Sequence, residues 1–150
     1  MMCNKGEVCM NVNQVLVKIG KYPHITRTSW SGFDGCYWPD EDTIEIAPRT
    51  IPTIVILLHE MIHWTGHRKR LNRPIIRSLN TYQRSNWKNK QIEEAIAIYG
   101  QTMLSRKLGV GLKSAKYWKR LLMAYLTTLS AEDKRMAYNK ARQAVRFLLS

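Results

Sequence analysis

The stretch that most constrains this 150-residue chain is TIVILLHEMIHWTG, residues 53–66. Pro52 suits a first helical turn and Gly66 a stop, and Ile54, Val55, Leu58 and Ile62 recur at helical spacing, so the pattern predicts a helix. His59 and His63, four residues apart, then share one face and stand close enough to bind a single metal ion. Glu60 lies beside that position, where it can take a proton from a water activated by the ion. Leu57, Leu58, Met61 and Ile62 pack the opposite side and hold the imidazoles in place. A chance H-E-x-x-H in a chain this long has a probability on the order of half a per cent, and few chance matches fall within an apolar helix.

A hydrolytic zinc site takes three protein ligands and leaves a fourth position open. The candidates for the third are His67, Glu93 and Glu94. His67 follows Gly66, but in the longer pattern H-E-x-x-H-x-x-G-x-x-H the last histidine is replaced here by Lys69, so that arrangement fails. Glu93 and Glu94 sit on the next predicted helix, 91–108, with no other acid for more than thirty residues on either side. Ile92, Ala95, Ile96, Tyr99 and Met103 mark its packed side. Glu94 lies about 100° from Ala95, near the edge of that side, whereas Glu93 equally suits a solvated position at the first turn.

The remaining elements follow from periodicity. Residues 10–19 read as a short helix closed by Gly20, behind a flexible tail 1–9. Three strands are expected around His24–Thr28, Cys36–Trp38 and Thr43–Ile46, separated by the turn signals Ser31-Gly32 and Pro39-Asp40, which together suggest an antiparallel meander. After residue 110, Trp118, Leu121, Leu122, Tyr125, Leu126 and Leu129 form an apolar helical stripe. A last helix starts at Ser130, an N-cap with Asp133 three residues on, and buries Ala137, Ala141, Ala144, Val145 and Leu148. The segment 67–90 gives no clear signal. The expected fold is α+β: a single domain, 10–150, with a small antiparallel sheet beside the H-E-x-x-H helix and three further helices behind it.

Composition sets limits on partners. Net charge is +13, from 24 basic and 11 acidic residues, which excludes an acidic DNA mimic and favours contact with a polyanion. Five of the acids fall between Asp34 and Glu45, while 67–90 carries eight basic residues and no acid. Arg135, Asn139, Arg142 and Arg146 line one face of the last helix. These charges suit non-specific contact with nucleic acid; no recognition-helix or RNA-binding aromatic pattern supports sequence-specific reading. The longest apolar run, Ile54 to Leu58, is five residues, so no membrane span is expected. With no secretory signal at the start, Cys3, Cys9 and Cys36 read as reduced thiols in a cytoplasm. Trp64, beside His63, is expected to shape the metal pocket.

The run LLHEMIHWTGHRKRLNR, Leu57 through Arg73, resembles the signature of the zincin-like metallopeptidase domain of ArdC antirestriction proteins and of phage and plasmid polyvalent proteins. CYWPDEDTIEIAP, IEEAIAIYG and the closing segment SAKYWKRLLMAYLTTLSAEDKRMAYNKARQAVRFLL are similar to further stretches of the family in the same order, so the likeness covers about residues 10–149. The resemblance implies a zincin-like fold, Zn2+ held by His59, His63 and Glu94, and Glu60 as general base. The family's E-x-x-x-E on the ligand-bearing helix is broken here, because its second position is Ile98, which cannot orient a ligand histidine. No counterpart of the single-stranded-DNA-binding domain of ArdC proteins is expected in these 150 residues. The implied function is zinc-dependent hydrolysis of a protein or peptide substrate by a mobile element or phage in a bacterial host, near DNA or in antirestriction. The alternative is a non-catalytic, metal-stabilised antirestriction module that binds DNA or a partner. His67 and Tyr99 are the candidates for stabilising the oxyanion.

Overall fold

The computed structural model describes residues 10–28, 32–47, 53–80, 86–111 and 115–150; the expected tail 1–9, together with Trp30, Ser31, Pro52 and Arg84, lies outside the described residues. The chain forms α1 (Val12–Ile19), β1 (His24–Arg27), β2 (Gly35–Trp38), β3 (Thr43–Ile46), α2 (Thr53–Thr65), a 3-10 segment (Pro74–Asn80), α3 (Trp87–Leu108), α4 (Ala115–Thr127) and α5 (Ala131–Leu148). Two helix starts follow directly from local chemistry. Asn11 and Gln14 cap α1 reciprocally, and the Ser130 hydroxyl accepts from the Asp133 N–H at the head of α5, satisfying donors that the first turn leaves over. The four α-helices found besides α2 among the described residues are the short helix expected at 10–19 and the three expected behind α2, and the basic segment folds partly into the 3-10 turn.

The sheet differs from the expected meander. Its order is β1-β3-β2, with β2 antiparallel to β3 (Tyr37 opposite Ile44) and β1 parallel to it (Ile25 opposite Ile44). Turn residues report where a chain reverses, as Asp42 does at φ 52, but not which strand ends in the middle. Burial decides that: Thr43, Ile44 and Ile46 of β3 are buried, while both ends of β1 are exposed. The most apolar strand takes the centre, and β2 is left at an edge.

Helix α2 runs through the core. Every residue from Val55 to Thr65 is buried, as an all-round apolar helix requires, with β2 and β3 on one side and α3 and α5 on the other. Close approach of α3 depends on Gly100, where a Cβ would come within 2.7 Å of Ile62 Cδ1. Helix α3 is itself buried from Ile92 to Gln101 except at Glu94 and Tyr99, which are half-buried. The apolar stripe of α4 is covered less: Trp118 alone in that helix is buried, and Leu121, Leu122, Tyr125 and Leu126 stay partly open. No helix among the described residues is long and apolar enough to cross a membrane.

Candidate metal centre

The helical register of α2 places His59 and His63 on the side facing α3, and α3 answers with two consecutive glutamates. His59 Nε2 and His63 Nε2 are 3.2 Å apart; Glu94 Oε2 is 3.2 Å from the first and 3.8 Å from the second. Four-coordinate zinc with bonds of about 2.0–2.1 Å separates its ligand atoms by about 3.3 Å. The three atoms therefore already stand at the spacing of one tetrahedral face, and among the described residues they form the one such group able to hold a metal ion.

The remote side of each imidazole is occupied by an acceptor. His63 Nδ1 lies 3.2 Å from Glu93 Oε1, and His59 Nδ1 lies 3.4 Å from Gln101 Oε1. The Gln101 amide is oriented by its Nε2, which donates to the Val55 carbonyl at 3.0 Å. With protons held on Nδ1, both Nε2 lone pairs point at the same spot beside a carboxylate. Such a donor set calls for a cation, so the residues fit a divalent metal. In the metal-free protein a proton serves instead: burial works against a charge on His63, but hydrogen bonds to Glu93 and Glu94 outweigh it and push its pKa up to about 10. Burial likewise opposes charge on Glu94, yet hydrogen bonds from His59 and His63 hold it well below the usual carboxylate range.

Glu93 is where the sequence reading went astray. It is not a solvated first-turn residue but fully buried, gripped by Arg73 through Oε1 at 2.6 Å and Oε2 at 3.1 Å. Burial raises its carboxyl and the Arg73 guanidinium overcomes that, so its pKa is lowered. Arg73 is also buried, donating to Thr65 Oγ1 and the Ile62 carbonyl. Gly66 makes room for it, since a Cβ there would meet its Nη2 at 2.7 Å. Ile98 packs into the core, and the task of orienting the histidines falls to Glu93 and Gln101. A signal for Gln101 was present: it follows Glu94 by seven residues, two turns along the same helix face.

Glu60 sits one residue past His59, buried, against β2. Gly35 permits this contact: a Cβ there would collide with Ile56 and come within 3.2 Å of Glu60 Cγ. Burial pushes the Glu60 carboxyl up in pKa, and His59, His63 and a hydrogen bond to the Tyr37 backbone pull it part of the way back. Glu60, His63 and Glu94 open into a cleft of about 400 Å³ walled by Gly35–Trp38, Phe33, Leu79 and Lys90.

Other expected contributors lie elsewhere. His67 is buried next to Asp42 and lines a different cleft. Tyr99 packs edge-on against Tyr138. Neither lines the metal cleft. Trp64 turns from it to stack under the Arg70 guanidinium, 3.8 Å from the ring centre. The aromatic ring at the centre is Trp118, stacked on His59 with centroids 5.1 Å apart. Of the basic segment, Arg70 pairs with Asp42 and Arg73 with Glu93, so both face inward, while Arg68, Lys69 and Arg77 are exposed.

A family model described as zincin-like metallopeptidase matches residues 25–143 of the chain. No curated protein matches it. Among solved structures it is similar to the antirestriction ArdC protein from the R388 plasmid in two states. For the metal-free structure the identity is 26% and the TM-score 0.60, covering 89% of this chain and 47% of that one. For the Mn(II)-bound structure the values are 27% and 0.62, covering 89% and 49%. The chain therefore spans about half the length of that protein.

Proposed function

The chain belongs to the zincin-like metallopeptidase family, and we propose that it is a zinc-dependent peptidase with His59, His63 and Glu94 as metal ligands and Glu60 as general base. The observation that carries this reading is the triangle of donor atoms at 3.2, 3.2 and 3.8 Å. Two imidazoles and one carboxylate suit zinc; the related ArdC structure was obtained with Mn(II). Bound there, the ion supplies Lewis acidity toward a water and a substrate carbonyl. The chain's residues do the rest. Glu60, whose pKa burial raises, accepts a proton from the attacking water and returns it to the departing amine. Glu93 and Gln101 keep both imidazoles in the ligating tautomer. Strand β2, at the sheet edge and along the cleft wall, offers an extended peptide a strand to lie against.

The likeness to a plasmid antirestriction protein supports a setting on a mobile element in a bacterial cell. A second reading, a metal-stabilised binding module, draws on one observation: Arg135, Arg142 and Arg146 are exposed and carry no ion pair among the described residues. One experiment separates the two. Parent and Glu60→Gln, each loaded with zinc and assayed for metal content, are incubated with a peptide library from a digested bacterial proteome. The peptidase reading expects equal metal and a loss of cleavage of about 10²–10⁴-fold in Glu60→Gln. Metal-loaded parent that cuts nothing leaves the binding module.

A further inference from the structure

A second cleft, of about 290 Å³, opens where β2 ends. Gly35–Trp38 wall the metal cleft, and the next two residues, Pro39 and Asp40, wall this one. The two clefts thus adjoin along one edge of the sheet. His67, Arg68, Asn72 and Arg77 make up most of the remaining polar wall.

His67 is only 6% exposed. Its Nδ1 accepts from the Lys69 N–H at 3.2 Å, so the neutral ring carries its proton on Nε2. That N–H has no protein partner among the described residues. Burial above all, with Arg70, Lys69 and Arg68, lowers the pKa of His67 against the pull of Asp42 and keeps it a neutral donor. Arg68 and Arg77 are exposed and have no ion pair among the described residues. Arg73 also lines the cleft, but Glu93 holds its guanidinium. Opposing charge comes from Asp40 at the rim; Asp42 is held by Arg70 and Tyr37. Two unpaired cations and two neutral donors, His67 Nε2–H and the Asn72 amide, therefore face one carboxylate.

We propose that this cleft is a carboxylate subsite of the peptidase, receiving an Asp or Glu side chain or a terminal carboxylate of a peptide that lies along β2. The inference rests on the peptidase reading. Tyr37, the backbone partner of Glu60, precedes Pro39 and Asp40 by two and three residues, about 7–10 Å of extended chain. The carboxylate is therefore carried two or three residues from the bond that is cut. A nucleic-acid backbone fits less well, because Asp40 repels a run of closely spaced phosphates.

The test has two arms. The chain has four histidines, so ¹³C-histidine spectra of the whole protein follow His67 directly, assigned by His67→Gln. Glutarate should shift its signal saturably and neutral glutaramide should not, with the response lost in Arg68→Ala/Arg77→Ala. No saturable glutarate shift, or a shift with inorganic phosphate or a single-stranded oligonucleotide alone, overturns the carboxylate site. In the second arm, zinc-loaded protein cuts the proteome-derived peptide library. Cut peptides should be enriched in Asp or Glu at one position two or three residues from the cut; enrichment at the C-terminus instead identifies a terminal carboxylate. In the double variant the ratio of acidic to neutral peptides cut should fall about tenfold, the equivalent of ~1.4 kcal/mol. Cleavage without any acidic bias overturns the subsite alone. A glutarate response with no peptide cut overturns the peptidase reading and with it the peptide, leaving a carboxylate-binding cleft.

Discussion

The two clefts that adjoin along β2 are built on opposite electrostatic plans. In the metal cleft the charges are interlocked: Arg73 holds Glu93, Glu93 holds His63, Glu94 bridges both histidines, and Gln101 fixes His59. Nearly all of it is buried, where an unpaired charge is costly, so each group exists with its partner or not at all. In the neighbouring cleft Arg68 and Arg77 are exposed, with no ion pair among the described residues. Water stabilises them as well as any protein group would, and salt weakens whatever they bind. One region is preorganised and intolerant of change; the other is adjustable. The difference predicts how each responds to substitution.

The largest effect is expected at the donor triangle. Glu94→Ala leaves two histidines as an incomplete shell, and its zinc affinity should fall by more than the tenfold to hundredfold typical of outer-layer partners. Glu93→Gln, which keeps the shape but loses the charge behind His63, should fall within that tenfold to hundredfold range. His67→Ala should bind zinc like the parent. Competition with a chelator of known affinity, with folding checked by circular dichroism, ranks the three. A Glu94→Ala protein as tight as the parent removes Glu94 from the ligand set.

Next comes stability. Arg73→Met strands the buried carboxylate of Glu93 and should cost about 3–5 kcal/mol in urea unfolding of the metal-free protein. Arg77→Met, four residues on but exposed, should stay within about 0.5 kcal/mol. Arg73→Met/Glu93→Met should regain much of the loss, because it removes both charges together. Similar costs for Arg73→Met and Arg77→Met erase the contrast between the two clefts.

That contrast also shows what the sequence made legible. His59, Glu60 and His63 were readable because helix periodicity alone sets their geometry. The strands were located because turn residues bound them, yet their order was not, since pairing depends on which strand the core buries most. The buried pairing of Glu93 with Arg73 was not legible, for one reason. Each looks like a surface residue until α3 is known to be enclosed by α2, α4, α5 and the 3-10 segment together, and no local pattern encodes that enclosure. Trp118 was predicted as part of an apolar stripe, but its place over His59 follows from the packing of α4 on α3. Charge counting likewise assigned the whole 67–90 segment to the surface, when Arg70 and Arg73 are interior partners of Asp42 and Glu93.

A smaller, graded effect is expected with pH. Metal must displace the proton that Glu93 and Glu94 hold on His63, whose pKa in the metal-free protein is about 10. Zinc affinity should therefore rise about tenfold per pH unit from near neutrality toward that value, with about one proton released per ion bound. In the metal-free protein the sign for stability is opposite. A raised histidine pKa stabilises fully below the unfolded value and is lost as pH climbs through the folded one, so this contribution should fade from about pH 6.5 upward. Calorimetry in buffers of different ionisation enthalpy measures the proton count; uptake without proton release contradicts the assignment of His63 as a ligand.

The smallest effects belong to the most exposed charges, those along α5. Arg135, Arg142 and Arg146 share one face with Asn139, all exposed, opposite the buried Ala137, Ala141 and Ala144. If this face touches nucleic acid, it does so through phosphates, because nothing in its spacing presents a pattern to base edges. Binding should then be indifferent to sequence and fall linearly with log salt. Each arginine replaced by glutamine should weaken binding by a few-fold and reduce the salt slope by about 1. Arg68→Gln, from the cleft assigned to a carboxylate, should leave that slope as it is. Fluorescence anisotropy with two unrelated oligonucleotides at several salt concentrations provides the measurement. Absence of binding at low ionic strength returns the α5 arginines to a plain solvated face, and a slope that responds to Arg68 but not to Arg142 moves the nucleic-acid contact to the end of β2.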